Sequence, residues 1–469
     1  MDIAFSSVSE LKELINSKKV SIVEVVEFFL ARIERFNPYL NAFLETCREE
    51  ALLAAKNQQI AMDKGELNGL LAGIPISIKD LEMTRGIPTT LGSLVYKDRV
   101  PTYDSVVVER VRNAGAIILG KTNTPEFGQS GTTENKLGDA CRNPWDLNRT
   151  AGGSSGGAGA GLAAGLFPIA TGSDGGGSIR IPASFNGVFG IKPSQGRVPR
   201  FGGYGVPASN HLSQSGPMSR TVEDTALLLQ VISGWDARDH MSMRSGPSDF
   251  LTALDSGVSN WKVAWSPDLG YAAVDGEVLK ICEDASKLFE NMGATVDCVS
   301  LELEDPFEAF FDIFSTGTYA SYSTLLDENS EDLTDYVRST LEHASRLRAS
   351  DFSRALLCLE QLKRRMEIFF DNYDLLLTPT MAVTAFPVDS RPSKINGKTV
   401  HEFWGYLPFT YPINMTGQTA SSVPCGFSSD GLPVGLHIVG PHGAENKVLQ
   451  ASYAFQKARP WSQYRPPIS

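Results

Sequence analysis

Residues 151–182 read AGGSSGGAGAGLAAGLFPIATGSDGGGSIRIP, and this glycine-rich stretch decides how the rest of the chain is interpreted. Eleven of the 26 residues from Gly152 to Gly177 are glycine, whereas the whole chain has 43 glycines in 469 residues. Glycine is expected where φ must be positive or where a ligand approaches the main chain closely. Interspersed Leu, Ile and Phe residues distinguish the stretch from a flexible linker. It predicts a closely packed helix of small residues between turns, a site built from backbone groups, or both.

The composition is that of an acidic globular protein. Its 54 acidic and 42 basic side chains give a net charge of −12, which argues against a nucleic-acid or anionic-membrane partner. The six cysteines lack the spacing of a zinc site or a disulfide framework, so we expect no metal and no cofactor. The N-terminal residues do not resemble a signal peptide, and no apolar run is long enough to span a membrane. We therefore expect a cytoplasmic protein without membrane contact.

Predicted helices and strands alternate after a helical N-terminal part. A capping box at Ser21 and Glu24 begins a helix, which Asn37-Pro38 is expected to end. Residues 73–80 have the pattern of a strand ending on a lysine, and Asp104 is expected to cap the helix VVVERVRNAG. Further strands are predicted at 294–299, 375–380 and 434–439.

This alternation predicts an α/β fold in which helices cover both faces of a central mixed β-sheet. The chain has no internal repeat and no long linker, so a single large domain over residues 1–469 is expected. Residues 1–65 would form the helical N-terminal part of that domain.

Two common motifs fit the glycine-rich stretch poorly. A P-loop requires a lysine after its glycines, and residues 151–182 contain none. Residues 152–156 match G-x-S-x-G, the nucleophile elbow of α/β-hydrolases. That motif also requires a preceding strand and a histidine partner; residues 143–149 are a poor strand, and none of the six histidines has a distinctive context. The elbow is kept as an alternative.

The segment from Asp174 to Ser178 favours an oxyanion hole. Consecutive glycines allow successive N–H groups to point into one concavity, and a serine at its edge would be a nucleophile that needs a base. Lys79, at the end of the apolar segment IPISI, is a candidate because burial lowers the pKa of a lysine. A strand-end lysine that reaches solvent is the alternative interpretation.

Three separated motifs resemble those of the amidase signature family. They are GIPISIKD at 73–80, GGSSGG at 152–157 and GSDGGGSIRIPA at 172–183. The similar core extends over about residues 71–193 and includes GKTNTPEF at 120–127, and a similar tail lies between residues 416 and 440. The resemblance covers most of the chain and implies the amidase signature fold.

The resemblance also implies a Ser-Ser-Lys triad. Ser178 would be the nucleophile, and Ser154, which would follow a cis peptide bond, would pass its proton to the base Lys79. The oxyanion donors would be the N–H groups of Gly175, Gly176, Gly177 and Ser178. The family usually has Thr or Ile at the position of Gly175, so a more flexible oxyanion loop is expected here.

Other residues of the resemblance are expected to support the site or to contact the substrate. The supporting residues would be Ser155, Asp174 and Arg180. The residues on the substrate side would be Gln129, Ser130 and Gly131. The aromatic segment 403–409 could form a wall of an apolar pocket, although core packing explains it more simply. Substrate specificity is expected to depend on the variable regions at about 200–215 and 300–410.

The function implied by the resemblance is hydrolysis of a C–N bond through a serine acyl-enzyme. The substrate would be a small carboxamide, anilide or carbamate, and esters are further candidates. Within the family, the alternative is the glutaminase subunit of a tRNA-dependent amidotransferase. From another class, the alternative is an inactive binding protein on an amidase scaffold. The expected partner is a small-molecule amide, and a homo-oligomer is compatible with the sequence.

Overall fold

Strands from both halves of the chain join one sheet in this computed structural model, which describes residues 2–203, 211–244 and 249–469. The described strands are β1 (Phe43–Thr46), β2 (Pro75–Lys79), β3 (Ile117–Thr122), β4 (Arg142–Asn143), β5 (Asp146–Thr150), β6 (Ile169–Asp174), β7 (Phe189–Lys192), β8 (Gln214–Ser219), β9 (Lys262–Trp265), β10 (Thr295–Cys298), β11 (Leu375–Pro379), β12 (Lys394–Ile395), β13 (Lys398–Thr399), β14 (Ala420–Phe427) and β15 (Pro433–Val439). Eleven of them form a mixed sheet in the order β1-β3-β2-β6-β8-β7-β14-β15-β11-β9-β10, and β4–β5 and β12–β13 form two small sheets.

Helices cover this sheet. The described α-helices are α1 (Val8–Asn16), α2 (Ile22–Leu40), α3 (Arg48–Asp63), α4 (Val106–Asn113), α5 (Gly156–Ala163), α6 (Arg180–Asn186), α7 (Val222–Ile232), α8 (Gly276–Ser286), α9 (Leu288–Asn291), α10 (Phe307–Tyr322), α11 (Leu325–Glu328), α12 (Asp335–Arg346), α13 (Ala349–Phe370), α14 (Tyr411–Thr416) and α15 (Glu445–Ala458). Strands β2, β8 and β15 are buried at every residue. Because successive side chains of a strand point to opposite faces, both faces must be covered. The predicted α/β fold with a central mixed sheet in one domain is confirmed. None of the described helices is long and apolar enough to cross a membrane.

The direction of β2 and β6 positions Lys79 and the glycine-rich turn. The two strands are neighbours and run parallel, with Ile76 paired with Ile169. The carboxyl ends of adjacent parallel strands lie at the same edge of a sheet, where α/β proteins usually bind ligands. Lys79 at the end of β2 therefore lies beside the glycine-rich turn that follows Asp174 at the end of β6.

The first half of the glycine-rich stretch is a closely packed helix, as predicted. All eight residues of α5 are buried. A Cβ atom at Gly157 would lie 2.3 Å from the carbonyl oxygen of Ala42 and 2.4 Å from the backbone nitrogen of Asn123. Only glycine permits this approach between main chains.

Two predicted helix boundaries are wrong. Helix α2 continues through Pro38 and ends at Leu40. The next residue, Asn41, adopts a left-handed conformation with φ of 48°. Proline at position 38 removes one hydrogen bond to Glu34, which is exposed, so water can replace the bond. Helix α4 is capped by Ser105, whose Oγ accepts from the N–H of Val108, and not by Asp104.

The Asp104 carboxylate has other partners. It accepts a 2.7 Å hydrogen bond from the N–H of Arg85 and lies 3.3 Å from Arg112. The variable region predicted at 200–215 is only partly described, since residues 204–210 lie outside the described residues.

Candidate active site

Lys79 is completely buried at the carboxyl end of β2 and does not reach solvent. Its Nζ lies 2.7 Å from Ser154 Oγ, 2.9 Å from Ser155 Oγ and 3.0 Å from Ser173 Oγ. Burial lowers its pKa to about 7, although the negative charges of Asp174 and Glu82 oppose the shift. Near neutral pH a large fraction of this amine is therefore unprotonated, and its lone pair can accept a proton from a hydroxyl group.

Ser154 belongs to the turn between β5 and α5. The peptide bond between Gly153 and Ser154 is cis. Residues 143–149 were expected to be a poor strand, but Asp146–Thr150 do form β5, which belongs to a separate two-stranded sheet. The hydrogen-bond partner of Ser154 is a lysine, and within the described chain no histidine bonds to Ser154 or Ser178. This arrangement favours the lysine-based site over the nucleophile elbow.

Ser178 and Ser154 line the same pocket, and the two loops that carry them are joined by a 3.1 Å hydrogen bond from the N–H of Ser155 to the carbonyl oxygen of Ser178. The described residues that line this pocket are Leu81, Gly128, Ser130, Gly131, Ser154, Ser173, Gly175, Gly176, Ser178, Ile181, Ser213, Phe314 and Trp404. None of these side chains carries a charge. The pocket thus combines serine hydroxyls and backbone groups with an apolar wall.

The peptide unit between Gly176 and Gly177 is held on both sides. The N–H of Gly177 donates to Asp174 Oδ1 at 2.8 Å, and the carbonyl oxygen of Gly176 accepts from Thr410 Oγ1 at 2.6 Å. The N–H of Gly177, one of the four predicted oxyanion donors, is thus already used within the turn. The N–H groups of Gly175, Gly176 and Ser178 bond to no other described residue.

Asp174 and Arg180 form a buried ion pair behind the turn from Gly175 to Ser178. Arg180 Nε and Nη2 each lie 2.9 Å from an oxygen of the Asp174 carboxylate, and Asn414 Nδ2 donates to the same carboxylate at 2.9 Å. Burial alone would raise the pKa of Asp174, but the charge and hydrogen bonds of Arg180 outweigh it and hold this pKa well below its usual range. Asp174 thus joins Arg180 to the backbone of the turn, since its carboxylate also accepts from the N–H groups of Gly177 and Ile179.

His437 completes this support. Arg180 Nη1 lies 3.0 Å from His437 Nε2. Burial, with the positive charge of Arg180, lowers the pKa of His437 well below 6.5. Because a guanidinium group only donates, Nε2 must accept, and the ring proton is on Nδ1, 3.2 Å from Thr378 Oγ1. This histidine is a structural partner of Arg180.

The space that a side chain would need at position 175 is taken by Ser213. A Cβ atom at Gly175 would lie 2.5 Å from Ser213 Oγ. This chain therefore has a glycine where the amidase signature family usually has Thr or Ile, and the hydroxyl group of Ser213 occupies the space that such a side chain would need. Asp174, Thr410 and Asn414 hold the turn by hydrogen bonds to its backbone.

The residues predicted on the substrate side divide into two groups. Ser130 and Gly131 line the pocket. Gln129 does not line it, and its Nε2 donates to Thr318 Oγ1 of α10 at 2.9 Å. The apolar wall of Leu81, Ile181 and Phe314 was not predicted, because nothing in the local sequence marks these residues. Within the described residues, no three His, Cys, Asp or Glu side chains form a group that could hold a metal ion.

Comparisons with known proteins agree with this geometry. A family model described as Amidase matches residues 24–449. An acylamidase of Rhodococcus erythropolis is 38% identical over 465 residues, covering 98% of this chain and 97% of that protein. The crystal structure of a bacterial aryl acylamidase of the amidase signature family has a TM-score of 0.93 and 34% identity, with 99% of this chain and 98% of that chain covered. A glutamyl-tRNA(Gln) amidotransferase subunit of Alkaliphilus metalliredigens (strain QYMF) is 34% identical over 483 residues, 97% of each protein. The chain belongs to the amidase signature family, and the protein is an amidohydrolase.

Proposed function

We propose that this protein hydrolyses the C–N bond of a small uncharged carboxamide, anilide or carbamate through an acyl-enzyme formed on Ser178. The observation that carries this proposal is the fully buried Lys79 amine, with a pKa of about 7, at 2.7 Å from Ser154 in a pocket that also contains Ser178. A buried neutral amine joined to serine hydroxyls is a base suited to activating a serine near neutral pH.

Acylation begins when Ser178 Oγ attacks the carbonyl carbon of the amide. The proton of Ser178 passes to Ser154 Oγ, while the proton of Ser154 passes to Lys79 Nζ. The carbonyl oxygen becomes an oxyanion, which the N–H groups of Gly175, Gly176 and Ser178 stabilise. Protonated Lys79 then returns its proton through Ser154 to the departing nitrogen, and the C–N bond breaks.

Deacylation uses the same groups with water as the nucleophile. Water gives its proton through Ser154 to Lys79 as its oxygen attacks the acyl carbon. The second tetrahedral species collapses, the bond to Ser178 Oγ breaks, and Lys79 returns the proton to that oxygen. The products are a carboxylic acid and an amine, and the enzyme regains its starting protonation state.

Glutamine hydrolysis is the second candidate, because an amidotransferase subunit is among the similar proteins. Glutamine carries an α-ammonium and an α-carboxylate group, and a buried charge requires a charged or strongly hydrogen-bonding partner. The described lining of the pocket has no charged side chain that could recognise either group. This observation favours uncharged amides over glutamine.

A substrate panel tests the proposal. The purified protein is assayed with 4-nitroacetanilide, an aliphatic amide, an aryl carbamate and glutamine, and ammonia or amine release is measured. We expect turnover of uncharged amides, loss of that activity in Ser178→Ala, and labelling by a fluorophosphonate probe that requires Ser178. Full activity of Ser178→Ala, or hydrolysis of glutamine alone, would overturn the proposal.

A further inference from the structure

The described catalytic pocket is small. The free space beside Ser178 is about 20 Å³, roughly the room of one water molecule. Pockets that hold small organic ligands usually enclose about 300–1,000 Å³. An anilide can therefore enter only if part of the wall moves, and the identity of that part determines which substrates fit.

One wall of the pocket is an aromatic cluster centred on Trp404. Four phenylalanines of α10 surround the indole ring, with ring centroids between 5.3 and 6.3 Å from it, and they are Phe307, Phe310, Phe311 and Phe314. Their spacing of three, four and seven residues places them on one face of the helix. Helix α10 and Trp404 therefore form a single aromatic wall.

This wall lies directly against the oxyanion turn. A Cβ atom at Gly176 would lie 2.9 Å from the ring of Phe310 and 3.6 Å from Trp404 Cζ3. The indole N–H of Trp404 has no hydrogen bond to any described residue, so packing alone holds the ring. Displacement of the ring breaks van der Waals contacts but leaves no broken hydrogen bond.

The other side of the same wall faces an open groove of about 710 Å³. Phe307 and Phe311, which contact Trp404, form the apolar side of this groove. The rest of its described lining is more polar and consists of Glu308, Ala309, Asp312, His343, Leu347, Asp351, Arg354, Ala355 and His401. Trp404 and Phe314 line the catalytic pocket. One layer of aromatic side chains thus separates the small catalytic pocket from a space large enough for a substrate.

We propose that Trp404 determines substrate length by separating the catalytic pocket from this outer groove, and that the apolar end of a longer amide displaces the ring and extends into the groove. This inference rests on the proposed amide hydrolysis at Ser178. The groove is then a subsite for an apolar chain or ring, in contact with Phe307 and Phe311. Trp404 acts on specificity and takes no part in proton transfer.

The first test compares chain-length dependence in the wild type and Trp404→Ala. One substrate series varies the acyl chain of 4-nitroanilides from two to eight carbons, and a second series varies the para-alkyl chain of N-acetyl anilines. We expect Trp404→Ala to raise the ratio of kcat/KM for the longest and shortest members at least tenfold in one of the series. A ratio within twofold of the wild type in both series overturns the proposal.

Matched variants separate this effect from general loosening. Phe403 is next to Trp404 but lines neither the catalytic pocket nor the outer groove, and Arg391 Cζ lies over its ring, 4.4 Å from the centroid. Phe403→Ala should therefore leave the length ratio unchanged. Trp404→Leu serves if the alanine variant melts early in circular dichroism, and it should show a smaller shift in the same direction. An equal shift in Phe403→Ala overturns the proposal.

A groove-filling variant tests the second half of the inference. Ala309 lines the outer groove and not the catalytic pocket. Adding Ala309→Trp to Trp404→Ala should reverse the gain on long substrates and leave the rate on the shortest substrate within threefold. If the gain persists, the groove is not the subsite. Absence of wild-type activity on every amide would instead overturn the proposed function, so the two failures are distinguishable.

Discussion

The hydroxyl group of Thr410 donates a 2.6 Å hydrogen bond to the carbonyl oxygen of Gly176. The same peptide unit is fixed on its other side by the bond from the N–H of Gly177 to Asp174. Two side chains from distant parts of the sequence thus fix one peptide plane. Fixing it orients the flanking N–H groups of Gly176 and Ser178, which we assign to the oxyanion.

Thr410→Val should lower kcat with little change in KM. Valine has nearly the same shape as threonine but leaves the buried carbonyl oxygen of Gly176 without this donor, which costs about 1–3 kcal/mol. If half of that cost appears in the transition state, kcat falls by a factor of about two to twelve. Thr410→Ser keeps the hydroxyl group and serves as the control. Steady-state kinetics with 4-nitroacetanilide measure both variants, and equal kcat values for them would contradict this role.

The rate of acylation should rise with pH through a midpoint of about 7. Lys79 must be neutral to accept a proton, and its pKa is lowered to about 7 by burial. The rate therefore increases from pH 6 to about pH 8 and is constant above that. Pre-steady-state release of 4-nitroaniline measures this rate, because the amine leaves as the acyl-enzyme forms.

Lys192 provides a matched control for this titration. It is also completely buried, its pKa is also lowered to about 7 by burial, and its Nζ bonds to the carbonyl oxygen of Pro193. Lys192→Met should keep the midpoint near 7, whereas Lys79→Ala should abolish the pH-dependent phase. If the midpoint moves in Lys192→Met and stays the same in Lys79→Ala, Lys192 is the titrating group and the prediction for Lys79 is wrong.

The same lysine affects stability in a defined pH window. In the unfolded chain its pKa is near 10.5, so between about pH 7 and 10.5 the unfolded state binds more protons than the folded state. The contribution of Lys79 to the free energy of unfolding therefore increases with pH across this window. Urea unfolding at pH 7 and pH 9 should show a smaller increase for Lys79→Met than for the wild type.

Asp174→Asn should destabilise the fold strongly at neutral pH. The substitution leaves the buried guanidinium of Arg180 without its counter-charge, which typically costs about 3–5 kcal/mol. Because the pKa of Asp174 is depressed, its contribution is present above the unfolded value and is lost as the pH falls through the folded value. The difference in unfolding free energy between wild type and variant should therefore shrink below pH 4. Asp284→Asn, which removes an exposed pair with Lys280, is the control and should leave the unfolding free energy nearly unchanged.

Gly177→Ala should be far more damaging than Gly175→Ala. At Gly177, φ is 130° and a Cβ atom would lie 2.5 Å from Thr410 Oγ1 and 2.8 Å from Thr410 Cβ. At Gly175 the close atom is Ser213 Oγ, which can rotate away. We expect at least a hundredfold loss of kcat/KM in Gly177→Ala, on the order of 3 kcal/mol for strain and collision together. For Gly175→Ala we expect a smaller loss, which Ser213→Ala restores. Equal losses at the two positions would show that the left-handed backbone at Gly177 is not what limits substitution there.

The sequence alone was sufficient for the fold class and for proposing the catalytic groups. Strand and helix patterns identified most elements, since apolar periodicity is a local property of the chain. Separated motifs in a fixed order identified the family. The burial of Lys79 was only one of two interpretations, because a strand-end lysine can equally reach solvent. The parallel pairing of β2 with β6 decides between them.

Contacts between distant segments account for what the sequence could not show. Thr410, Asn414 and His437 lie more than 220 residues from the turn that they support, and no local pattern links them to it. The use of the Gly177 N–H by Asp174 depends on the conformation of a single turn. Trp404 was assigned more simply to core packing, and only the structure places it at the pocket.

The parallel pairing of β2 and β6 also bears on how this enzyme could change under selection. The base and the nucleophile turn follow strands joined by backbone hydrogen bonds, so side-chain replacements elsewhere leave their separation intact. The outer wall, in contrast, consists of helix α10 and Trp404. Mutant libraries confined to Phe307, Phe311 and Trp404 should therefore yield variants with new substrate ranges at a high rate, because each member inherits an assembled catalytic centre.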